Sequence, residues 1–461
     1  MTQTVQLPLW LFLLIVIFAM VTLASHFLFP SVRWFFRRRL ERAVRRLNRR
    51  LARPIEPFKL ARRHDMIQRL IYDPEVLVEV VRHARDNGVP ENVAFEKAQD
   101  YAREIVPRFS AFVYFSFGIR AARLLATTLY HVRTGPDNEA RLASVPRDAT
   151  VIFVMNHRSN MDYVLVTYLA RRMSALSYAV GEWARVWPLS GLIRSMGAYF
   201  IRRSSRGALY RKVLARYVQM ATAGGVAQAI FPEGGLSLDG RLAPPRLGLL
   251  SYVVGGYDPD GRDLVFMPVA INYDRILEDN VLIAAGLRGD RRFGANVKVV
   301  VRYILRKIGQ ALRGRYTRFG AAAVVYGEPL SLREFGPDRP VEELGDTLMC
   351  RIAEVMPALM VPIIAQVLRG AGGEMPVAGL RDEVMALSRG LGTRWLAHSE
   401  DDGAFQAALD KLVGNKVLQR EAHRIAIRPG QEQKVGFYAN SIAHHVPDTA
   451  AAEQIAASAG L

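Results

Sequence analysis

His157 precedes Asp162 by five residues in the run Asn156-His157-Arg158-Ser159-Asn160-Met161-Asp162, and no other histidine of the chain has an aspartate at that spacing. An imidazole that donates one ring N–H to a carboxylate is held in one tautomer, and its second nitrogen is left as a base. That is the equipment a hydroxyl nucleophile needs when it gives up its proton and attacks a thioester. On an ideal helix, residues five apart lie roughly 140° from each other and would not meet. The run follows a buried-strand pattern and precedes an amphipathic helix pattern, so a turn into the helix must bring Asp162 back to the ring. The dipole at such a helix start favours an ionised carboxylate. Asp162 also fits a plain helix cap at this place.

Three further clusters carry chemistry. Gly197-Ala198-Tyr199-Phe200-Ile201-Arg202-Arg203 ends a strand with paired arginines, whose planar donor forks suit a phosphate. Arginine pairs are also common in so basic a chain. Phe231-Pro232-Glu233-Gly234-Gly235 ends a strand with a carboxylate and two glycines, which let backbone approach a ligand closely. Glu233 can accept from a substrate hydroxyl or anchor the arginine pair, while the glycine pair also reads as a simple turn. Gly240-Arg241 and Pro245-Arg246 add cations to the same loop. Phe266-Met267-Pro268-Val269-Ala270-Ile271-Asn272-Tyr273 reads as a core strand whose internal proline predicts an edge or a bulge. Its apolar wall suits core packing or an aliphatic chain.

The elements that must position these residues follow from periodicity. Val151–Met155, Gly197–Ile201, Val226–Phe231, Leu264–Ile271 and Ala322–Tyr326 are strand candidates. Tyr163–Met173 and Leu209–Ala223 are helix candidates between them, and such alternation predicts an α/β layered domain. Pro74–Asn87, Glu91–Val106 and the apolar stretch Arg108–Val132 read as helices before it; Met349–Leu368 and Glu374–Leu418 read as helices after it. The turn Gly135-Pro136-Asp137-Asn138 is the boundary. The predicted division is 1–32, 33–54, 55–135 (helical), 136–335 (α/β) and 336–461 (helical).

Leu7–Leu28 is apolar apart from His26 and is long enough, at about 1.5 Å per residue, to cross a bilayer as a helix. Trp10 and Trp34 stand near its ends as interfacial aromatics do, and an arginine-packed stretch, Arg33–Arg53, follows it. Positive charge on that flank predicts a single-pass anchor with the remainder on the cytoplasmic face of the cell inner membrane. The 461 residues carry a net charge of +19, which favours anionic partners, and the basic block beside a span points to anionic membrane lipids. No nucleic-acid motif supports a nucleic-acid partner. The single cysteine, Cys350, excludes an internal disulfide and a cysteine-based zinc site.

Taken in order, the four clusters resemble the four motifs of the glycerol-3-phosphate acyltransferase family. The resemblance rests on the His-four-residues-Asp motif at His157 and Asp162, the Gly-Ala-aromatic-Phe-Ile-Arg-Arg motif ending at Arg202 and Arg203, Glu233-Gly234-Gly235, and the strand around Pro268. Asp239-Gly240-Arg241, Pro244-Pro245-Arg246 and Tyr326-Gly327-Glu328-Pro329 extend it, over residues 65–370. It implies a glycerolipid acyltransferase-like sheet flanked by helices, preceded by one transmembrane helix and a helical domain. It implies transfer of a fatty acyl group from acyl-CoA or acyl-carrier protein to the first hydroxyl of glycerol-3-phosphate, with no metal and no bound cofactor. His157 and Asp162 would be catalytic; Arg202, Arg203, Glu233, Gly234, Gly235, Arg241 and Arg246 would bind the acceptor. Leu236 departs from the pattern, since an arginine usually follows the glycine pair, and the related lysophosphatidate acyltransferases are the alternative. A non-catalytic, membrane-tethered polyanion binder is the remote one.

Overall fold

A strand without polar side chains has no face to give to water and must lie in a sheet covered on both sides. Thr150–Met155 and Leu264–Tyr273 are such strands, buried at every residue. The computed structural model describes residues 8–17, 20, 38–39, 42, 44–49, 51–169, 175–181, 189–202, 207–289, 318–394 and 402–446. It divides into two compact units, residues 1–54 and 55–461. In the first, residues 9–17 and 44–48 are helical. Among the described residues no helix is long and apolar enough to cross a membrane. Most of the expected Leu7–Leu28 span and Arg203 lie outside the described residues.

The second unit is built on an eight-stranded sheet. Its strands are His131–Thr134 (β1), Thr150–Met155 (β2), Ser177–Val180 (β3), Tyr199–Phe200 (β4), Gln228–Ile230 (β5), Leu264–Tyr273 (β6), Ala321–Tyr326 (β7) and Leu330–Ser331 (β8). The order is β1-β7-β6-β2-β5-β3-β4, with β8 added beside β6. From β6 to β4 every neighbour is parallel, whereas β7 and β8 run antiparallel to β6. The five strand candidates all fall in this sheet. β1 was hidden in the apolar stretch 108–132, which instead is π-helical over Val113–Gly118 and α-helical over Ile119–Leu129 before entering the strand.

Alternation along β2 sends its side chains to two different cores. Ile152 and Val154 face one layer; Val151, Phe153 and Met155 face the other. The first layer holds the helices Arg63–Ile71 (α1), Pro74–Asn87 (α2) and Glu91–Ile105 (α3), with two later helices, Ala208–Ala223 and Val341–Glu354. Local chemistry sets α2: Asp73 accepts from the Glu75 N–H at 3.1 Å, Pro74 takes the first turn, and Gly88 ends it at φ 64°. The same Asp73 binds Arg216 at 3.0 and 2.7 Å, tying α2 to the helix over 208–223.

The second layer starts with Ile119–Leu129 (α4) and Met161–Leu169 (α5); Ala208–Ala223 is α6 and Asp279–Arg288 is α7. It continues after Val341–Glu354 (α8) with Met360–Gly370 (α9), Val377–Leu391 (α10), Asp402–Gly414 (α11) and Glu432–Ala439 (α12). A small antiparallel sheet, Glu374–Pro376 (β9) with Leu418–Glu421 (β10) and Arg424–Ile427 (β11), joins them. The helix expected over Glu374–Leu418 is instead two helices set between β9 and β10, and Gly392, at φ 56°, ends the first of them. The expected helix Met349–Leu368 is interrupted around Pro357, which cannot donate to the helical ladder.

Pro268 lies in a central strand rather than at an edge, opposite a one-residue slip in register between the Phe266–Leu330 and Val269–Tyr326 pairs. It pairs with Val154 of β2 on one side. On the other side β6 changes partner from β8 to β7, and the Pro268 carbonyl accepts from Gly327 N–H at 2.8 Å. The missing N–H thus falls where no ladder bond is required.

Candidate active site

The residues that follow β2 turn sharply, and each is tied down. The Asn156 amide donates to the Ile271 carbonyl at 2.9 Å and accepts from the Ile271 N–H at 2.7 Å, so it extends the β2–β6 pairing with a side chain. The His157 N–H donates to Glu233 Oε1 at 2.8 Å, and the His157 carbonyl accepts from Ser237 N–H at 2.9 Å. The Ser159 hydroxyl and the Asn160 N–H donate to Glu278 at 3.0 and 2.7 Å. The turn is thus held from β6, from the loop after β5 and from the start of α7.

Asp162 sits in the first turn of α5 and closes the turn on itself. Its Oδ2 accepts from the Arg158 and Ser159 N–H groups at 2.8 and 3.0 Å and lies 2.9 Å from His157 Nδ1. Its Oδ1 accepts from the Tyr273 hydroxyl at 2.6 Å. With Nδ1 as donor, Nε2 is the basic nitrogen, and among the described residues it has no hydrogen-bond partner. The imidazole leans on Phe231, ring centres 4.1 Å apart, and meets Tyr163 at 5.5 Å. An orienting carboxylate and a free second nitrogen make a general base.

Both oxygens of Glu233 accept from backbone N–H groups, and the residue borders the neighbouring cavity. Glu233 is 2 % exposed, and its second oxygen accepts from Ala243 N–H at 3.1 Å. Burial raises its carboxyl to about 7, against the lowering effect of those two N–H bonds and of Arg158. Gly234 has φ 67°, and a Cβ there would stand 2.5 Å from Arg246 Cδ, so both its backbone and the arginine stem require a glycine. Gly235 lines a cavity of about 510 Å³ with Leu236, Leu238 and Phe437; Arg241 stands at it, exposed. Neither Arg241 nor Arg246 has an acidic partner among the described residues.

The structure does not bring Arg202 to the imidazole. β4 lies three strands from β2, about 14 Å at the usual spacing. Arg202 Nε lies 2.9 and 3.0 Å from the two Glu104 oxygens on α3, and its guanidinium covers Tyr101 at 5.6 Å. Glu104, far off in sequence, takes the place that a phosphate was expected to hold.

Several residues of the site were not visible in the sequence. Tyr273 and Glu278 come from a strand and a turn more than a hundred residues later. Arg158 is 1 % exposed; it donates to the Gly240 carbonyl, lies 5.6 Å from the Phe437 ring centre, and keeps Nε and Nη2 without partners. Burial lowers its pKa, opposed by Glu233 and Asp162. Phe437 belongs to α12, so the C-terminal region, silent in sequence, closes over the turn. A Cβ on Gly240 would lie 1.9 Å from the Phe437 carbonyl oxygen.

This turn lies within residues 139–272, which match the family model described as Acyltransferase. The resemblance to the glycerol-3-phosphate acyltransferases holds beyond it. The chain is 32% identical over 311 residues to "Glycerol-3-phosphate acyltransferase" of Xanthomonas axonopodis pv. citri, covering 64% of this chain and 33% of that protein. It is 30% identical over 283 residues to the protein of the same name from Ectopseudomonas mendocina, covering 60% and 32%. The chain thus spans about a third of the length of the curated relatives it matches. Among solved structures, a 1-acyl-sn-glycerophosphate acyltransferase from Thermotoga maritima aligns at 21% identity and TM-score 0.30, covering 51% of this chain and 76% of that one.

Proposed function

We propose that the chain is a glycerol-3-phosphate O-acyltransferase of phospholipid synthesis. His157 Nε2 takes the proton of the acceptor hydroxyl as its oxygen attacks the thioester carbonyl carbon. The new C–O ester bond forms, the C–S bond breaks, and the thiol leaves with the proton that His157 returns. Asp162 holds the ring and balances the imidazolium, and Tyr273 holds Asp162. The observation that carries this reading is the 2.9 Å contact between His157 Nδ1 and Asp162 Oδ2, with Nε2 left over. The names of the relatives support the acceptor. Acyl-CoA or acyl-carrier protein is the proposed donor, and no metal or cofactor takes part.

Arg241 and Arg246 are the proposed phosphate contacts nearest the turn; Arg202, with Arg203, joins them only by leaving Glu104. The proposed location is the cytoplasmic face of the inner membrane, held by the 7–28 span and by anionic lipids on the arginine block. A lysophosphatidate acceptor is the second reading, favoured by one observation: Leu236, Leu238, Leu242, Ile283 and Leu287 give the cavity beside Glu233 an apolar wall. Labelled acyl donor supplied with glycerol-3-phosphate and with 1-acyl-glycerol-3-phosphate in parallel separates them. Product from glycerol-3-phosphate is expected; product from the acylated acceptor alone would replace this proposal with the second reading.

A further inference from the structure

A second cavity lies outside the catalytic turn. It has a volume of about 780 Å³, within the ordinary range for small-ligand sites. It opens at the edge of the sheet where β6 ends and β7 and β1 begin, and α11 walls it. Tyr130 lines it and packs on Tyr273 with ring centres 5.3 Å apart, and Tyr273 in turn holds Asp162. The cavity therefore lies behind the carboxylate, at the far end of that chain of contacts from His157 Nε2.

Its charges do not balance. Asp274 is committed to the Ala321 and Val361 N–H groups at 2.7 and 3.0 Å. Asp279 is committed to the Tyr438 hydroxyl at 2.9 Å and Lys434 at 3.2 Å. Arg275 donates to Asn415 at 2.8 Å and lies over Phe319, and Arg318 lies 3.2 Å from His131 Nδ1. Lys411 and Arg133 lie within electrostatic reach of Asp274, so Arg133, Arg275, Arg318, Lys411 and Lys434 together outnumber the two carboxylates, Asp274 and Asp279, that line the cavity. α11, which carries Lys411, presents Ala404, Ala407, Ala408 and Leu412 on the same helical face, small apolar residues beside the cation. Unbalanced cations beside aliphatic surface suit a ligand with an anionic head and an apolar tail.

We propose that this cavity binds an anionic amphiphile, a phosphate head on one aliphatic chain, at a site separate from acyl transfer. The proposal stands without the acyltransferase reading.

Equilibrium dialysis of the full chain against labelled dodecyl phosphate, below its micelle concentration, tests it. Dodecanol and inorganic phosphate are the controls, and glycerol-3-phosphate is held in excess. Dodecyl phosphate should bind, and both controls should bind at least about tenfold more weakly. Lys411→Glu should weaken binding by about tenfold or more, Lys411→Arg should keep it, and Ala407→Trp, which fills the cavity, should remove it. The thermal midpoint of Lys411→Glu should match the wild type's, which shows that the variant is folded. Dodecanol binding equally well would overturn the headgroup, and inorganic phosphate binding equally well would overturn the tail. Displacement by glycerol-3-phosphate, no binding at all, or unchanged binding in folded Lys411→Glu would overturn the site.

Discussion

Two loops leave the same edge of the sheet, and they are built in opposite ways. The turn 156–162, after β2, spends its polar groups on the fold: Asn156 on β6, His157 on Glu233 and Ser237, Ser159 and Asn160 on Glu278. The loop 236–246, after β5, keeps Arg241 and Arg246 out towards solvent with no acidic partner among the described residues. A proton-transfer group must be in place before substrate arrives, because misplacement by an ångström costs rate. A cation that meets a mobile phosphate gains from reach and from carrying no prior partner. The contrast divides the site into a rigid base and an adaptable grip.

The largest way to break this contrast lies at Asp162. Asp162→Asn keeps the shape but offers an amide to Nδ1 and can select the wrong tautomer. Turnover should fall by about 10³-fold or more, by analogy with the same change in other His–carboxylate pairs. A drop below tenfold in a steady-state assay would mean that the carboxylate only caps α5.

Glu233 sharpens the contrast next. Glu233→Gln leaves one oxygen for two N–H donors, His157 and Ala243, so the base should shift and turnover should fall by up to about 10²-fold. The acceptor KM should hardly change, since Glu233 faces backbone. A large KM effect with intact turnover would instead place it in the acceptor site. The pH dependence of stability follows from its raised carboxyl. Between pH 4.5 and about 7 the folded chain keeps a proton that the unfolded chain has given up. Stability contributed by this group is therefore present at low pH, falls as pH rises through that window, and is level above it. Followed over that range, the thermal midpoint of the wild type should fall relative to that of Glu233→Gln as pH rises; an unchanged or opposite difference would refute the assignment.

Arg241 gives the smallest effect. Arg241→Ala should raise the KM for a phosphorylated acceptor by about tenfold and leave kcat nearly intact, and added salt should weaken the wild type towards the variant. Equal salt dependence in both proteins would show that Arg241 meets no phosphate.

What the sequence made legible follows the same division. The His157–Asp162 contact could be read because both residues lie within one turn, where spacing alone forces a reversal. The strands could be read because β-branched runs alternate with helical ones. Tyr273, Glu278 and Phe437 could not be read as partners, because tertiary packing brings them to the turn from distant elements. Arg202 misled for the same reason: Glu104 looks like any other helix residue until α3 packs beside β4. β1 was masked by the apolar stretch before it. The strands β9, β10 and β11 were masked by an alanine- and leucine-rich region that Gly392 breaks.

The central claim is that His157 removes the proton of the acceptor. Its most direct test is the turnover of His157→Ala in the full chain, with the thermal midpoint measured beside it. The account predicts a fall of at least about 10²–10⁴-fold with the fold intact. Turnover close to the wild type's in the folded variant would contradict it.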